Sequence, residues 1–231
     1  MFESYKYYGE NPHEKIHEYV LSFFKNIWKY DEYSVDLFQE DFRPVVKKCD
    51  KRLNIPFKSI FDEIKKMSIA EQKAFCKEFE DSNKIEKICS NDTQPTYYED
   101  IPKSIRKEIK DLFSYMYESV LNNIKTFKDG YGKLDTTYNN LFKNNGNIKL
   151  CPFCRLTDIK DDNDLYRDAY DHYLPKSLYP LSAVNFHNLV PICNTCNSYH
   201  KSNKDILYRD KKRTDRRKVF YPFEGVDNGI E

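Results

Sequence analysis

Cys151-Pro-Phe-Cys154 and Cys193-Asn-Thr-Cys196, which enclose Asp171-His172 and Asn188-Leu-Val-Pro, decide the fold of this chain. Two thiolates at this spacing can reach one tetrahedral ion, while the turn between them directs N–H groups at sulfur. Four thiolates fill the coordination shell of zinc, so the sequence predicts a closed, structural zinc site. Such a site would staple a region that has little apolar sequence. The alternative, unligated cysteines or a single redox pair, does not require a second matched pair.

Composition favours a helical protein without a strong overall charge. The 231 residues include 39% hydrophobic side chains, with 19 Tyr, 16 Phe and only 6 Gly. The net charge of +1 gives the whole chain no general attraction for nucleic acid. The first ten residues lack the apolar stretch of a signal peptide, and no segment approaches the roughly 20 apolar residues of a membrane span. We therefore expect a cytoplasmic protein without a membrane partner, in which the seven cysteines are thiols.

Apolar residues at helical spacing predict a mostly helical N-terminal domain over residues 1–145, with five to seven helices. Ser68, with Glu71 three residues later, is typical of a capping box at a helix start. Helices are predicted over 13–30, 57–67, 68–79, 104–128 and 133–143. Turn residues near 144–150 mark a boundary, and residues 146–231 would form a second, small zinc-stapled domain. The predicted fold class is α+β.

Asp171-His172 is the predicted catalytic pair, because these residue types suit hydrolysis of a phosphodiester. A histidine with a pKa near 6.5 can take a proton from water at neutral pH. A hard divalent cation held by oxygen ligands can neutralise charge developing on phosphorus. Asp171 can supply one oxygen, and Asn197, directly after Cys196, is the best second candidate. Adjacent side chains of a regular strand point to opposite faces, so one phosphate can use both only if the backbone departs from strand geometry near Pro175.

Residues 148–205 resemble the HNH, or ββα-metal, endonuclease superfamily. The motifs that carry the resemblance are Cys151/Cys154, Asp171-His172 with Pro175, Asn188-Leu189, and Cys193/Cys196 with Asn197. The resemblance implies a β-hairpin followed by a helix, with a metal ion between them. It also implies that His172 is the general base that activates water.

The same resemblance implies roles for the other site residues. Asp171 and Asn197 would bind a single catalytic ion, Mg²⁺ or Mn²⁺. Asn188 would hold the loop that orients His172 through backbone hydrogen bonds. Superfamily members often have Lys three residues after the final Asn, where this chain has His200 followed by Lys201. His200 could therefore be a metal ligand, a phosphate contact or a surface residue.

A basic segment follows the second cysteine pair. Residues 199–218 hold nine Lys or Arg and three Asp side chains, and a phosphate backbone could be held there. The residues expected to contact nucleic acid are Lys176, Lys201, Lys204, Arg213, Arg216 and Arg217. The alternative is a charged segment that is only solvated.

Together these features predict a metal-dependent HNH endonuclease that cuts DNA, with zinc as a structural ion and Mg²⁺ or Mn²⁺ for catalysis. The choice of DNA over RNA follows from the resemblance, since the residues do not read the sugar. The alternative is a non-catalytic, zinc-stapled module that binds nucleic acid. That alternative explains the cysteines and the basic segment, but not the placing of Asp171, His172, Asn188 and Asn197.

A further expectation concerns residues 1–145. The chain resembles nuclease subunits of bacterial anti-phage systems that work beside an ATPase, so this half could dock an ATPase partner. The alternative is a helical domain that only supports the site or widens the contact with DNA.

Overall fold

The residues before position 146 fold mainly into helices, as their apolar spacing predicts. The computed structural model describes residues 4–160, 168 and 170–223. Within these residues the α-helices are α1 (Lys15–Asn26), α2 (Arg43–Lys48), α3 (Asn54–Lys65), α4 (Ile69–Ser82), α5 (Ile85–Cys89), α6 (Lys103–Tyr115), α7 (Leu121–Asn123), α8 (Lys125–Tyr131) and α9 (Leu134–Asn144). The described part thus has nine α-helices where five to seven were expected. The additional ones are chiefly α2 and α5, which are too short for an apolar period to reveal them.

The core of the helical half is aromatic, and α1 packs against α4. Phe23 and Phe24 of α1 are buried, and the ring of Phe24 stacks on that of Phe79 with centroids 4.5 Å apart. The predicted capping box starts α4. The Ser68 hydroxyl accepts the N–H of Glu71 at 3.3 Å, and the Glu71 carboxylate accepts the N–H of Ser68 at 2.8 Å. Both bonds satisfy N–H groups that a helix start leaves without partners.

The longest predicted helix, over 104–128, is interrupted, which corrects the prediction. After α6 the helix widens into a π turn at Met116–Val120, where the N–H of Leu121 bonds to the carbonyl five residues earlier. The chain then becomes extended at Ile124, with φ −73° and ψ 113°, before α8 begins. Apolar residues continue through both irregularities, and for that reason the apolar spacing predicted one continuous helix.

The C-terminal half contains a two-stranded antiparallel sheet. Strand β1 (Tyr170–His172) pairs with β2 (Leu189–Pro191), and Asp171 lies opposite Val190. A second π turn, Cys196–Lys201, follows β2. This small sheet beside a mostly helical remainder confirms the predicted α+β class.

The two halves of the chain share one hydrophobic core. The N–H of Val219 donates to the carbonyl of Cys89 at 2.9 Å, and the N–H of Tyr98 donates to that of Leu178 at 2.8 Å. Buried residues on both sides of the predicted boundary at 145/146 belong to the same cluster. The two halves therefore pack against each other, and the division into two domains at 145/146 stays a prediction.

Candidate active site and zinc centre

The four cysteines of the two Cys-x-x-Cys pairs come together in space. The Sγ atoms of Cys151, Cys154, Cys193 and Cys196 all lie within 4.8 Å of one another, and those of Cys154 and Cys193 are 3.8 Å apart. In a tetrahedron with Zn–S bonds of about 2.3 Å, the sulfur atoms are separated by about 3.8 Å. The cluster therefore fits a zinc ion with four thiolate ligands. In the described part of the chain, these four cysteines are the set of Cys, His, Asp or Glu side chains whose ligand atoms lie close enough together to hold one metal ion.

The backbone around the cysteines favours thiolates. Burial opposes ionisation of Cys154, but the N–H groups of Leu156 and Thr157 point at its sulfur and lower its pKa to about 6. The N–H of Cys196 likewise donates to the sulfur of Cys193 at 3.5 Å. Arg155 adopts a left-handed conformation, φ 55°, to close the first turn. These contacts are typical of a site whose ligands bind metal as anions.

Asp171 and His172 are adjacent in strand β1 but contact different neighbours. The pairing with β2 is regular through His172, so the departure from strand geometry expected there is absent from β1. His172 lies beside the carbonyl of Ala183, while Asp171 reaches Lys201 in the second π turn. The chain leaves strand geometry directly after His172. Neighbouring strand side chains lie on opposite faces, yet both of these stay near Lys201, whose ammonium pairs with Asp171 and whose charge also lowers the pKa of His172.

His172 is buried, neutral and held at one ring nitrogen. Its Nε2 lies 2.9 Å from the carbonyl oxygen of Ala183. A carbonyl oxygen only accepts, so the neutral ring carries its proton on Nε2 and leaves Nδ1 unprotonated. Within the described residues, Nδ1 makes no hydrogen bond. Burial, together with the positive charges of Lys176 and Lys201, lowers the pKa of His172 to about 3, so the imidazole is neutral at pH 7.

Asn188 binds the chain that follows His172. Its side chain is fully buried, and its Oδ1 accepts the N–H of Leu174 at 2.7 Å. Its Nδ2 donates to the carbonyl of Leu174 at 3.1 Å and to the carbonyl and hydroxyl of Ser182, each at 3.3 Å. The backbone carbonyl of Asn188 also accepts the N–H of Tyr173 at 2.8 Å. One amide thus ties together both ends of the loop between β1 and β2.

Asp171 forms an ion pair with Lys201. The ammonium lies 2.7 Å from the carboxylate, and the two side chains are only 9% and 15% exposed. Burial raises the pKa of Asp171, while Lys201 opposes that rise. Lys201, predicted to contact nucleic acid, therefore has an internal partner.

The second π turn explains how Lys201 reaches Asp171. A π turn needs about one residue more than an α turn, and the N–H of Ser202 bonds to the carbonyl of Asn197, five residues earlier, at 2.7 Å. Lys201 therefore lies about one turn after Asn197, while His200 is exposed to solvent. Asn197 itself is half-buried, and its side-chain amide makes no hydrogen bond with any described residue.

The helical half contributes two side chains that the sequence did not reveal. The ring of Tyr117 lies edge-on to the imidazole of His172, with centroids 4.3 Å apart. Its neighbour Glu118 forms an ion pair with Lys176 at 2.5 Å. Lys176 also lies 5.0 Å above the ring of Tyr117. No spacing in the sequence connects residues so far apart, although the paired Asn122-Asn123 after the turn is a signal for irregular helix geometry.

Arg213 and Arg216, like Lys176 and Lys201, bind the protein itself. Arg213 lies 3.6 Å above the ring of Tyr97 and 3.3 Å from the Asp205 carboxylate. Arg216 donates to the carbonyl of Ile88 at 2.7 Å. Both guanidinium groups fasten the basic segment to the rest of the chain, and their contact with a phosphate stays a prediction.

Lys204 and Arg217 are the remaining predicted cations, and Arg217 borders a groove beside the cysteine cluster. Lys204 is exposed and donates to the carbonyl of His200 at 2.8 Å. Arg217 lines a groove of about 450 Å³, with Phe153 and Phe220 on its walls. The groove joins these apolar walls to a cationic edge.

No protein-family model, curated protein or solved structure matches the chain. The interpretation of the site therefore rests on its residues and their geometry. None of the helices within the described ranges combines the length and the apolar character needed to cross a bilayer.

Proposed function

We propose that the protein is a metal-dependent endonuclease of the HNH type that hydrolyses phosphodiester bonds in DNA. The observation that carries the proposal is the state of His172: a neutral imidazole whose Nε2–H is engaged by Ala183 and whose Nδ1 has no hydrogen-bond partner among the described residues. A general base needs an unprotonated nitrogen in a fixed orientation. The cross-linked loop around Asn188 supplies that orientation.

The residues proposed for the divalent ion fit a hard cation. The Asp171 carboxylate already lies against a positive charge, the Lys201 ammonium, in a mostly buried place. The half-buried Asn197 amide offers a second oxygen. Carboxylate and amide oxygens are the donors that Mg²⁺ and Mn²⁺ prefer. Asp171 and Asn197 would hold such an ion, which when bound neutralises charge developing on the phosphate.

The chain itself would perform the proton transfer. Nδ1 of His172 accepts a proton from a water molecule as the water oxygen attacks phosphorus, and the bond to the leaving oxygen breaks. Ala183 accepts the Nε2–H throughout, so it stabilises the imidazolium that results. A phosphate near Lys176 and Lys201 counters the two charges that lower the pKa of His172, and the ring becomes a stronger base when substrate is bound.

The substrate and partner follow from the resemblance of residues 148–205 to HNH nucleases. DNA is proposed as the substrate because it is what that superfamily usually cuts. An ATPase partner in bacterial defence, docked on residues 1–145, is proposed on the same ground. Co-purification of the full chain with an ATPase encoded beside it would support the partner, and full activity of the isolated chain would count against it.

The second candidate is a zinc-stapled module that binds nucleic acid without cutting it. The burial of the two proposed catalytic side chains favours this candidate, since His172 is 6% exposed and the Asp171 side chain is 15% exposed. The groove beside the cysteine cluster serves such a module equally well.

One experiment separates the two functions. Supercoiled plasmid is incubated with wild type, His172→Ala and His17→Ala in EDTA, Mg²⁺ or Mn²⁺. His17 is the control, because it is a histidine of α1 whose charged neighbours are Glu14 and His187, outside the proposed machinery. The nuclease predicts nicking by wild type and by His17→Ala, only with a divalent ion, and none by His172→Ala. If no protein cuts, with or without the ATPase encoded beside it, while all three bind DNA equally, the binding module is supported and the nuclease is refuted.

A further inference from the structure

The π turn at Met116–Val120 brings the helical half to the candidate active site. Its wider geometry frees backbone carbonyls, and two neighbouring amides satisfy them. The side chain of Asn122 donates to the carbonyl of Tyr117 at 3.1 Å, and that of Asn123 to the carbonyl of Glu118 at 3.3 Å. Turns of this kind occur within α-helices frequently at functional sites. The two amides show that the chain stabilises the irregularity locally.

Tyr117 touches β1 at two points. Its hydroxyl donates to the carbonyl of Tyr170 at 2.6 Å, at the start of the strand. Its ring meets that of His172 at 4.3 Å and 63°, at the end of the strand. An edge-on contact between rings restricts rotation of both. One side chain therefore fixes the strand and the imidazole that the strand carries.

A second contact from the same turn reaches the chain after His172. Glu118 pairs with Lys176, four residues past the histidine, at 2.5 Å, and Lys176 lies above the ring of Tyr117. The π turn thus contacts the backbone before His172, the imidazole itself and a side chain after it. The carbonyl of Ala183 accepts the hydrogen bond from Nε2 of the same imidazole.

We propose that Tyr117 is a positioning residue for His172, so that the helical half forms part of the active site. This inference rests on the proposed function. Its consequence is that the helical half acts on the reaction itself, whether or not it also docks a partner. Small displacements of a reacting group can lower a rate about 100-fold, so an imidazole that rocks without Tyr117 is a poorer base. Binding of DNA does not depend on this contact, so kcat and KM should separate.

The test compares full-length Tyr117→Met, Tyr117→Phe and Tyr115→Met with wild type. Methionine keeps much of the buried volume but removes the ring and the hydroxyl, and phenylalanine restores the ring. Tyr115 is the matched control, because it lies two residues earlier in α6 and its ring faces Arg52. Cleavage of a labelled duplex with Mn²⁺ gives kcat and KM. Long-range ¹H–¹⁵N spectra of the zinc-loaded protein, without Mg²⁺ or Mn²⁺, give the tautomer of His172 without requiring activity.

We expect Tyr117→Met to lower kcat about 10- to 100-fold with KM within about twofold, and to mix the His172 tautomers. Tyr117→Phe should recover most of kcat, and Tyr115→Met should match wild type. If Tyr117→Met does not fold, Asn122→Ala loosens the same turn from outside the core and should give the same changes, smaller in size. A single, unchanged tautomer in a folded Tyr117→Met or Asn122→Ala protein overturns the inference. If wild type does not cut DNA with or without the proposed ATPase, the proposed function fails, and the tautomer still decides whether Tyr117 positions His172.

Discussion

Replacement of Asn188 by Ala should destabilise the protein more than most single changes, because the amide is fully buried, accepts one hydrogen bond and shares its two N–H groups among three acceptors. The two bonds to Leu174, at 2.7 and 3.1 Å, are well formed, while the two to Ser182, at 3.3 Å, are weaker. Formed bonds contribute about 1 kcal/mol each and weaker ones less, which gives about 3 kcal/mol. Alanine also leaves the N–H of Leu174 buried without its acceptor, which costs about 1 kcal/mol or more. We expect a loss of about 4 kcal/mol.

The assay is urea unfolding at constant zinc, with Asn185→Ala as the control. Asn185 is equally buried in the same loop, but it binds Asn83 and the N–H of His187, and it does not touch Leu174. Both variants should be less stable, whereas only Asn188→Ala should lower kcat of the folded protein, because only Asn188 holds the chain next to His172. A loss below about 1 kcal/mol for Asn188→Ala, or equal effects of the two variants on kcat, would refute this reasoning.

Three other predictions use separate parts of the structure. Chelation of zinc, or Cys193→Ser, should lower the melting temperature and release one zinc per chain in a metal assay; an unchanged melting temperature would contradict a structural ion. Burial lowers the pKa of His13, whose Nδ1 lies 2.8 Å from the Thr137 hydroxyl, so the unfolded chain takes up the proton first. The free energy of unfolding should therefore fall as the pH drops below about 6.5. Urea titrations at several pH values should show a shallower fall with pH for His13→Gln than for wild type. Lys201→Met leaves the charge of Asp171 unpaired, so calorimetric titration should show about tenfold tighter binding of Mn²⁺; equal affinity would mean that Asp171 is not a ligand.

Much of the fold could be predicted because its signals are local. Apolar residues every three or four positions located α1, α3 and α9, and Ser68 with Glu71 located the start of α4. The break at Ile124 could not be predicted in this way, since apolar spacing continues through it. The paired asparagines after Val120 are the sequence feature that indicates this break, because Asn side chains compete for backbone hydrogen bonds.

The candidate site likewise has features that local sequence predicts and contacts that it does not predict. The cysteine spacing predicted a cluster that the structure brings together, because each pair is a local turn. The contact of Tyr117 with His172 joins residues 55 positions apart, and no pattern of residue types announces it. Lys201 illustrates a third case. The sequence predicts a role for Lys201 but not its pairing with Asp171. That pairing depends on the extra residue in the π turn, whereas α-helical spacing would place Lys201 elsewhere.

The charges beside His172 are balanced within the protein. The two lysines that lower its pKa each end on a carboxylate of the chain, Lys176 on Glu118 and Lys201 on Asp171. Removing one member of a buried pair is costly, because the other charge is then left without a partner. A phosphate can therefore engage Lys201 most easily if Asp171 gains another cation at the same time. On the proposed function, this exchange makes the substrate and the divalent ion favour each other's binding, and by linkage the effect is equal in both directions. Without ligands, the site has paired charges and a buried base. It would thus be assembled for hydrolysis only when the substrate and the divalent ion are both bound.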